Sequence, residues 1–149
     1  MLIAKEKMAH MHGVAEYMYE HAEENGLIPD EMYILGLLHD IGYLYGSEGH
    51  EENGAALLHR MGFENHWHVL WHGTSPKDYL QYTSRENLPA ELILLMEANM
   101  KIGLSGEEIG YENRLKEMAN IYGLASEQYM LCEDTIQWLT EYKKGREQG

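Results

Sequence analysis

Residues 31–41 are apolar nearly all round and end in an ionisable pair: Met32-Tyr33-Ile34-Leu35-Gly36-Leu37-Leu38, then His39-Asp40-Ile41-Gly42. A helix that is apolar on every side belongs inside a core, so this stretch predicts a central, buried helix with a carboxylate at its C-terminal end. A carboxylate in that position is costly unless it is paired, hydrogen-bonded or bound to a metal. No Lys or Arg lies between Lys7 and Arg60, so sequence neighbours supply no cation. An imidazole and a carboxylate side by side are good ligands for a divalent metal. The dipeptide alone has a second reading, a surface pair at a helix C-terminus with Gly42 as its left-handed cap.

The rest of the chain keeps the helical period. Residues 5–25 form an amphipathic helix on the stripe Met8, Met11, Ala15, Met18 and Ala22, closed by Gly26. His12 flanks that stripe, while His10 and His21 face solvent. Asp30 caps the helix over 31–41, and a loop rich in Gly and Tyr, 42–49, follows it. A third helix starts at His50, carries the small pair Gly54-Ala55 and ends at Met61-Gly62-Phe63. In the short helix over 64–72, His68 and His72 share a face, and spacing does not choose between them as ligands. Residues 77–88 are polar with tyrosines and predict a loop or one weak helical turn. Pro89 starts an apolar helix over 90–102 that contains Asn99. Ser105 with Glu108 resembles a capping box ahead of a helix over 111–121, and Ser126 caps a last helix to about residue 144. There is neither a period-two pattern nor an internal repeat. The expectation is an all-α bundle of about seven helices in a single domain over 1–149, its core about 5–123 and its C-terminal helix about 126–144.

Twenty-five acids against 11 bases give a net charge of −14, which argues against nucleic-acid binding and against attachment to anionic membrane. Cys132 is the sole cysteine, so there is no disulfide framework and no thiolate cluster, in keeping with a cytoplasmic location. The N-terminal residues lack the apolar core of a signal peptide, and no apolar run reaches membrane-spanning length. Nine histidines stand out in so acidic a chain, because histidine is the commonest metal ligand.

His12, His39-Asp40, His50, His72 and Asn99 each fall on or beside a different helix, the arrangement a metal site between facing helices needs. His12 followed by Leu38-His39-Asp40-Ile41-Gly42 resembles the HD-domain metal-dependent phosphohydrolases. His50 with Gly54-Ala55, and Trp71-His72-Gly73-Thr74, are similar to elements of the two-metal subgroup that includes symmetrical dinucleoside-tetraphosphate hydrolases. The resemblance spans roughly residues 8–123. It implies that His12, His39, Asp40 and Asn99 hold one metal, that Asp40 bridges to a second held by His50 and His72, and that a metal-activated hydroxide attacks phosphorus. Asp40 and His39 would then be the catalytic pair. The metals implied are one or two divalent ions among Fe, Mn, Co, Ni and Zn. The substrate would be a nucleotide, a dinucleoside polyphosphate or another small phosphate ester, with Lys77, Arg85 and Lys101 as candidate phosphate contacts because bases are scarce. A homodimer stays open. The family pattern ends in aspartate where this chain has Ala98-Asn99, so the first site loses a negative charge. That departure motivates an alternative, a degenerate domain that binds metal or nucleotide as a sensor. A helical interaction module with structural histidines is the third reading.

Overall fold

The computed structural model describes residues 3–45, 48–64 and 66–148. Among them are α1 (Lys5–His21), α2 (Pro29–Leu38), α3 (His50–Arg60), α4 (His66–Trp71), α5 (Pro76–Thr83), α6 (Ala90–Lys101), α7 (Gly110–Tyr122) and α8 (Glu127–Gln148), with 3-10 turns at Glu23–Asn25 and Ile41–Tyr45. No strand occurs among the described residues, which carry only an isolated bridge between Ile102 and Glu108. The all-α class is as expected, with eight α-helices among the described residues where about seven were expected. Gly46, Ser47 and Asn65, within the expected second loop and fourth helix, lie outside the described residues.

Local chemistry accounts for several boundaries. α1 gives way to its 3-10 turn, and Gly26, at φ 71°, reverses the chain where a side chain would be strained. Asp30 does not cap α2. Pro29 occupies the first turn, Ile28 flanks it, and Asp30 sits inside the helix where its charge meets the dipole. α2 stops at Leu38, three residues short of the expected end, leaving His39 as its C-terminal flank. The capping box expected at Ser105 is not formed: α7 begins only at Gly110, behind Ile109, with no side-chain cap. At Ser126 the expected cap is present, its Oγ accepting the Tyr129 N–H at 3.1 Å. The segment expected as a loop or one weak helical turn holds the two-turn α5, in which Ser75 Oγ accepts the Asp78 N–H at 3.2 Å and Pro76 takes the first turn.

The central helix is α6, not α2. α6 packs against α1, α2, α4, α7 and α8, and its opposite sides serve two cores. Leu94, Leu95 and Ala98 join Val14, Met18, Met32, Leu35, Leu58 and Val69. Leu92, Met96 and Met100 join Tyr79, Cys132, Ile136 and Leu139. Each fully buried leucine contributes roughly 1.5–3 kcal/mol. α2 packs on α1 so closely that a methyl group on Gly36 would come within 2.8 Å of Ala15 Cα. Its other side is less covered, and Ile34 stays 44% exposed. Apolar composition measures what a helix can bury, while its neighbours decide what it does bury. Among the described residues no helix is long and apolar enough to cross a membrane.

Candidate metal centre

The chain turns sharply after α2 and presents Asp40 to imidazoles from separate elements. Asp40 Oδ2 lies 3.1 Å from His39 Nε2, while Oδ1 lies 3.2 Å from His72 Nε2 and 3.5 Å from His50 Nε2. His39, Asp40 and His72 are buried. His50 opens α3 and stacks on Tyr43, centroids 4.1 Å apart. Two groups of ligand atoms result: His10, His39 and Asp40, and Asp40, His50 and His72. Asp40 belongs to both.

Gly42 makes this geometry accessible, and not as a left-handed cap, since its φ is not positive. Its Cα packs directly on the backbone at the start of α3, and an added methyl would overlap the His50 carbonyl oxygen. The 3-10 turn that follows Asp40 can therefore lie against the helix that begins with His50.

The imidazoles share one hydrogen-bonding rule. His39 Nδ1 faces the Gly36 carbonyl at 2.6 Å, His10 Nδ1 the Gly103 carbonyl at 3.1 Å, and His72 Nδ1 the Val69 carbonyl. A carbonyl only accepts, so each Nδ1 carries its proton and donates it. Each Nε2 is thereby aimed at the centre, as second-shell carbonyls aim metal-binding histidines. A neutral Nε2 would then set its lone pair against an Asp40 oxygen, which is unfavourable. The contact is favourable only if the imidazole is protonated or a cation lies between the two groups. His39 Nε2 is buried and makes no hydrogen bond. An orphaned buried donor atom among three further nitrogens and a carboxylate fits a divalent metal.

His10, expected to face solvent, is 3% exposed and takes the place expected of His12. Its Nε2 lies 2.7 Å from Asn99 Oδ1. With Nδ1–H given to Gly103, Nε2 can only accept. The Asn99 amide therefore either offers its N–H group to His10 or its oxygen to a cation between them. His12 lies two residues on, about 200° around the helix. It is exposed there, beside an apolar hollow lined by Met8, Met11, Leu37 and Ile41. The buried side of α1 is wider than the methionine stripe and runs through His10, Gly13, Val14 and Tyr17, because the chain around Gly106 covers it. A methyl on Gly13 would come within 2.7 Å of the Ile102 side chain and overlap the Gly106 carbonyl. Of the pair on α4 and its end, His72 joins the centre and His68 does not.

Burial would push the Asp40 carboxyl up. The charge of His39 and the polar contacts of His39, His50 and His72 outweigh it and hold the carboxyl well below its ordinary value. Burial, then the charges of His39 and Arg114, lower the His10 pKa to about 4, against the pull of Asp40 and Asn99. His10 is thus neutral at physiological pH, the form that ligates.

A cavity of about 150 Å³ opens over these residues, and both Lys7 and Arg114 line it. None of the three bases singled out from the sequence does. Lys77 and Arg85 are exposed on and after α5, and Lys101 Nζ pairs with the buried Glu97 at 3.2 Å. Arg114 had no sequence signal beyond being a base in a helix. Its place in the site depends on how α7 packs. Beside the cavity lies a groove of about 380 Å³ lined by Trp67, Trp71 and Tyr82, with Glu51 and Gly73 common to both. Glu51 Oε1 is 3.3 Å from His50 Nε2.

A family model of the HD domain matches residues 8–102. No curated protein and no solved structure matches the chain.

Proposed function

The chain belongs to the HD-domain family, and from that premise we propose that it is a metal-dependent phosphohydrolase acting on a nucleotide or a dinucleoside polyphosphate. The observation that carries the reading is Asp40, one oxygen toward each of two imidazole groups. His10, His39 and Asp40 would hold one divalent ion, with the Asn99 amide oxygen in reach of the same space. Asp40, His50 and His72 would hold the other. The mixed His and carboxylate set suits Fe, Mn, Co, Ni or Zn. Bound there, such ions supply a water of lowered pKa and polarise phosphoryl oxygens.

The residues of the chain do the rest. The backbone carbonyls of Gly36, Val69 and Gly103 fix the tautomers of His39, His72 and His10, so that these three imidazoles need not reorient. Asp40 stays ionised and supplies the negative charge that Asn99 lacks. The nucleotide part of the reading rests on the adjoining groove, whose wall is built by Trp67, Trp71 and Tyr82, the last two packed on each other, an aromatic surface against which a base could pack. Its carboxylates, Glu51 and Glu52, accept from ring or exocyclic N–H groups. His50 with Gly54-Ala55, and Trp71-His72-Gly73-Thr74, support membership of the two-metal subgroup.

The test is release of phosphate or nucleotide from a panel of nucleotides and dinucleoside polyphosphates. Turnover should stop with chelator and in Asp40→Ala. Full activity in Asp40→Ala would end the proposal. The contact between His10 and Asn99 favours a second reading, a metal- or nucleotide-binding sensor with little turnover. A strong rise in turnover in Asn99→Asp would select it, and an unchanged rate would mean that the amide is an adequate ligand.

A further inference from the structure

We propose that Arg114 is the anion-binding residue of this centre, a guanidinium delivered by α7 that takes the substrate's phosphoryl oxygens, and that an amide at position 99 leaves its charge available for them. The inference rests on the hydrolase reading and adds to it a specificity residue from outside the stretch that matches the family model, 8–102.

Arg114 is 6% exposed and lines the same cavity as His10, Asp40, His50, His72 and Asn99. It is the one fully buried residue of α7, whose Tyr111, Leu115 and Met118 are only partly buried against the core. A cation is not buried for packing alone. Its fork is held from behind. Nε donates to the Asn99 carbonyl at 3.2 Å, an acceptor in the last turn of α6. Nη1 donates to Glu117 Oε1 at 2.8 Å, and the Glu117 carboxylate is in turn anchored by the Leu104 N–H. Among the described residues the guanidinium makes no other hydrogen bond. Of five donors two are used, and the group is fixed in orientation. A rigid fork with free N–H groups in a cavity is suited to a tetrahedral oxyanion. At about 150 Å³ the cavity is below the several hundred Å³ of whole-ligand pockets. It suits a phosphoryl group, with the remainder of the substrate outside.

Position 99 is part of the device. A carboxylate there would sit on the wall that holds Arg114 and compete with a phosphate for the same charge. Glu117 already takes one edge of the guanidinium, and the amide spares it a second carboxylate while keeping an oxygen near His10.

The experiment uses the full chain loaded with Zn²⁺, with inorganic phosphate as the probe. Calorimetry gives the phosphate affinity, elemental analysis the metal content, and the Nε–H resonances of the four arginines report which of them phosphate reaches. We expect Arg114→Met to weaken phosphate at least tenfold with metal content unchanged and a lowered melting temperature, because Glu117 and the Asn99 carbonyl lose their donor, and Arg114→Lys to weaken it less. Asn99→Asp should tighten the metal and weaken phosphate together. In the wild type, phosphate should move the Arg114 resonance. A folded, metal-loaded Arg114→Met with wild-type phosphate affinity overturns the proposal. If that variant does not fold, the wild-type spectrum decides, and an unmoved Arg114 resonance under bound phosphate overturns it equally. Should either result accompany metal uptake and nucleotide turnover, the role of Arg114 alone falls. A chain that takes up no metal removes the hydrolase reading and this inference with it.

Discussion

Gly42→Ala should disable half of the centre. The residue follows Asp40 by two and meets the backbone of α3 with no room for a side chain. A methyl there would come within 2.6 Å of the His50 carbonyl carbon and 2.8 Å of the Gly54 nitrogen. Carbon atoms in ordinary contact are about 3.5–4.0 Å apart, and the overlap with the His50 carbonyl oxygen is worse still, so the two backbones must separate by more than about 1 Å. Both are main chain, one of them in a helix, so no side-chain rotation relieves the overlap. Overpacking of this kind costs about 1–3 kcal/mol and more where backbone must move. We therefore expect a loss of about 3 kcal/mol, or on the order of 6–12 °C in melting temperature for a chain of this size. Displacing α3 carries His50 away from Asp40, 3.5 Å distant at present. Metal sites tolerate only a few tenths of an ångström. The variant should keep the group of His10, His39 and Asp40 and lose that of Asp40, His50 and His72, so elemental analysis should read one ion per chain where the wild type gives two. Gly145→Ala on α8, whose methyl would meet nothing within 4 Å, is the control and should be neutral or slightly stabilising. A Gly42→Ala protein with wild-type metal content and a melting temperature within about 2 °C of wild type would refute the close-approach argument.

Three further outcomes follow from the same geometry. His10→Ala should lower metal content by up to one ion per chain, while His12→Ala should leave metal content and turnover unchanged. The reverse pattern would mean that the wrong face of α1 has been assigned to the core. Metal-free protein should lose stability on acidification in a defined window. The unfolded chain binds a proton on His10 near pH 6.5 and the folded chain only near 4, so the stabilisation is complete above 6.5 and gone below 4. The amount is on the order of 3 kcal/mol. Urea titrations at pH 7 and 4.5 should show it in the wild type and not in His10→Gln, whereas the depressed carboxyl of Asp40 acts only at lower pH. Saturating Zn²⁺ or Mn²⁺ at about 100 times its dissociation constant should add about 2.7 kcal/mol, some 5–11 °C. An unchanged melting temperature would favour structural histidines over a metal centre.

The helical class was legible because the apolar period is helical throughout. What composition left open was coverage. The residues of α2 are more uniformly apolar than those of α6, yet α6 is enclosed and α2 keeps Ile34 at the surface. α5 went unread because its buried residues are only Pro76 and Tyr79, too few to give a period. Its start signal was nonetheless present in Ser75-Pro76 with Asp78 in the first turn. Glu97 interrupts the apolar run of α6 without exposing it, because Lys101 and Lys143 reach its carboxylate at 3.2 and 2.6 Å. Lys143 is 46 residues away in the chain, and no local pattern announces such a partner.

The difference between the histidines that sequence could place and the one it could not has a single physical origin. His39 and His72 each stand just past the end of a short helix, α2 and α4, and each gives Nδ1–H to the carbonyl three residues back. Those carbonyls belong to the last turn, where backbone donors run out, and that of Gly36 receives only a long bond from the His39 N–H, at 3.5 Å. One imidazole therefore ends the helix and, through its other nitrogen, faces Asp40. Such a ligand is encoded locally, by a histidine where an apolar run stops. His10 has no such arrangement. It lies inside α1, and the carbonyl that sets its tautomer belongs to Gly103, 93 residues on. Only the fold brings the two together, so the sequence pattern favours His12, which flanks the methionine stripe, and leaves His10 at the solvent. The same logic separates the substitutions. His39→Ala and His72→Ala should each cost a helix terminus as well as a ligand, and lower stability even without metal. His10→Ala removes a ligand and a buried hydrogen bond to a loop, and leaves α1 itself intact.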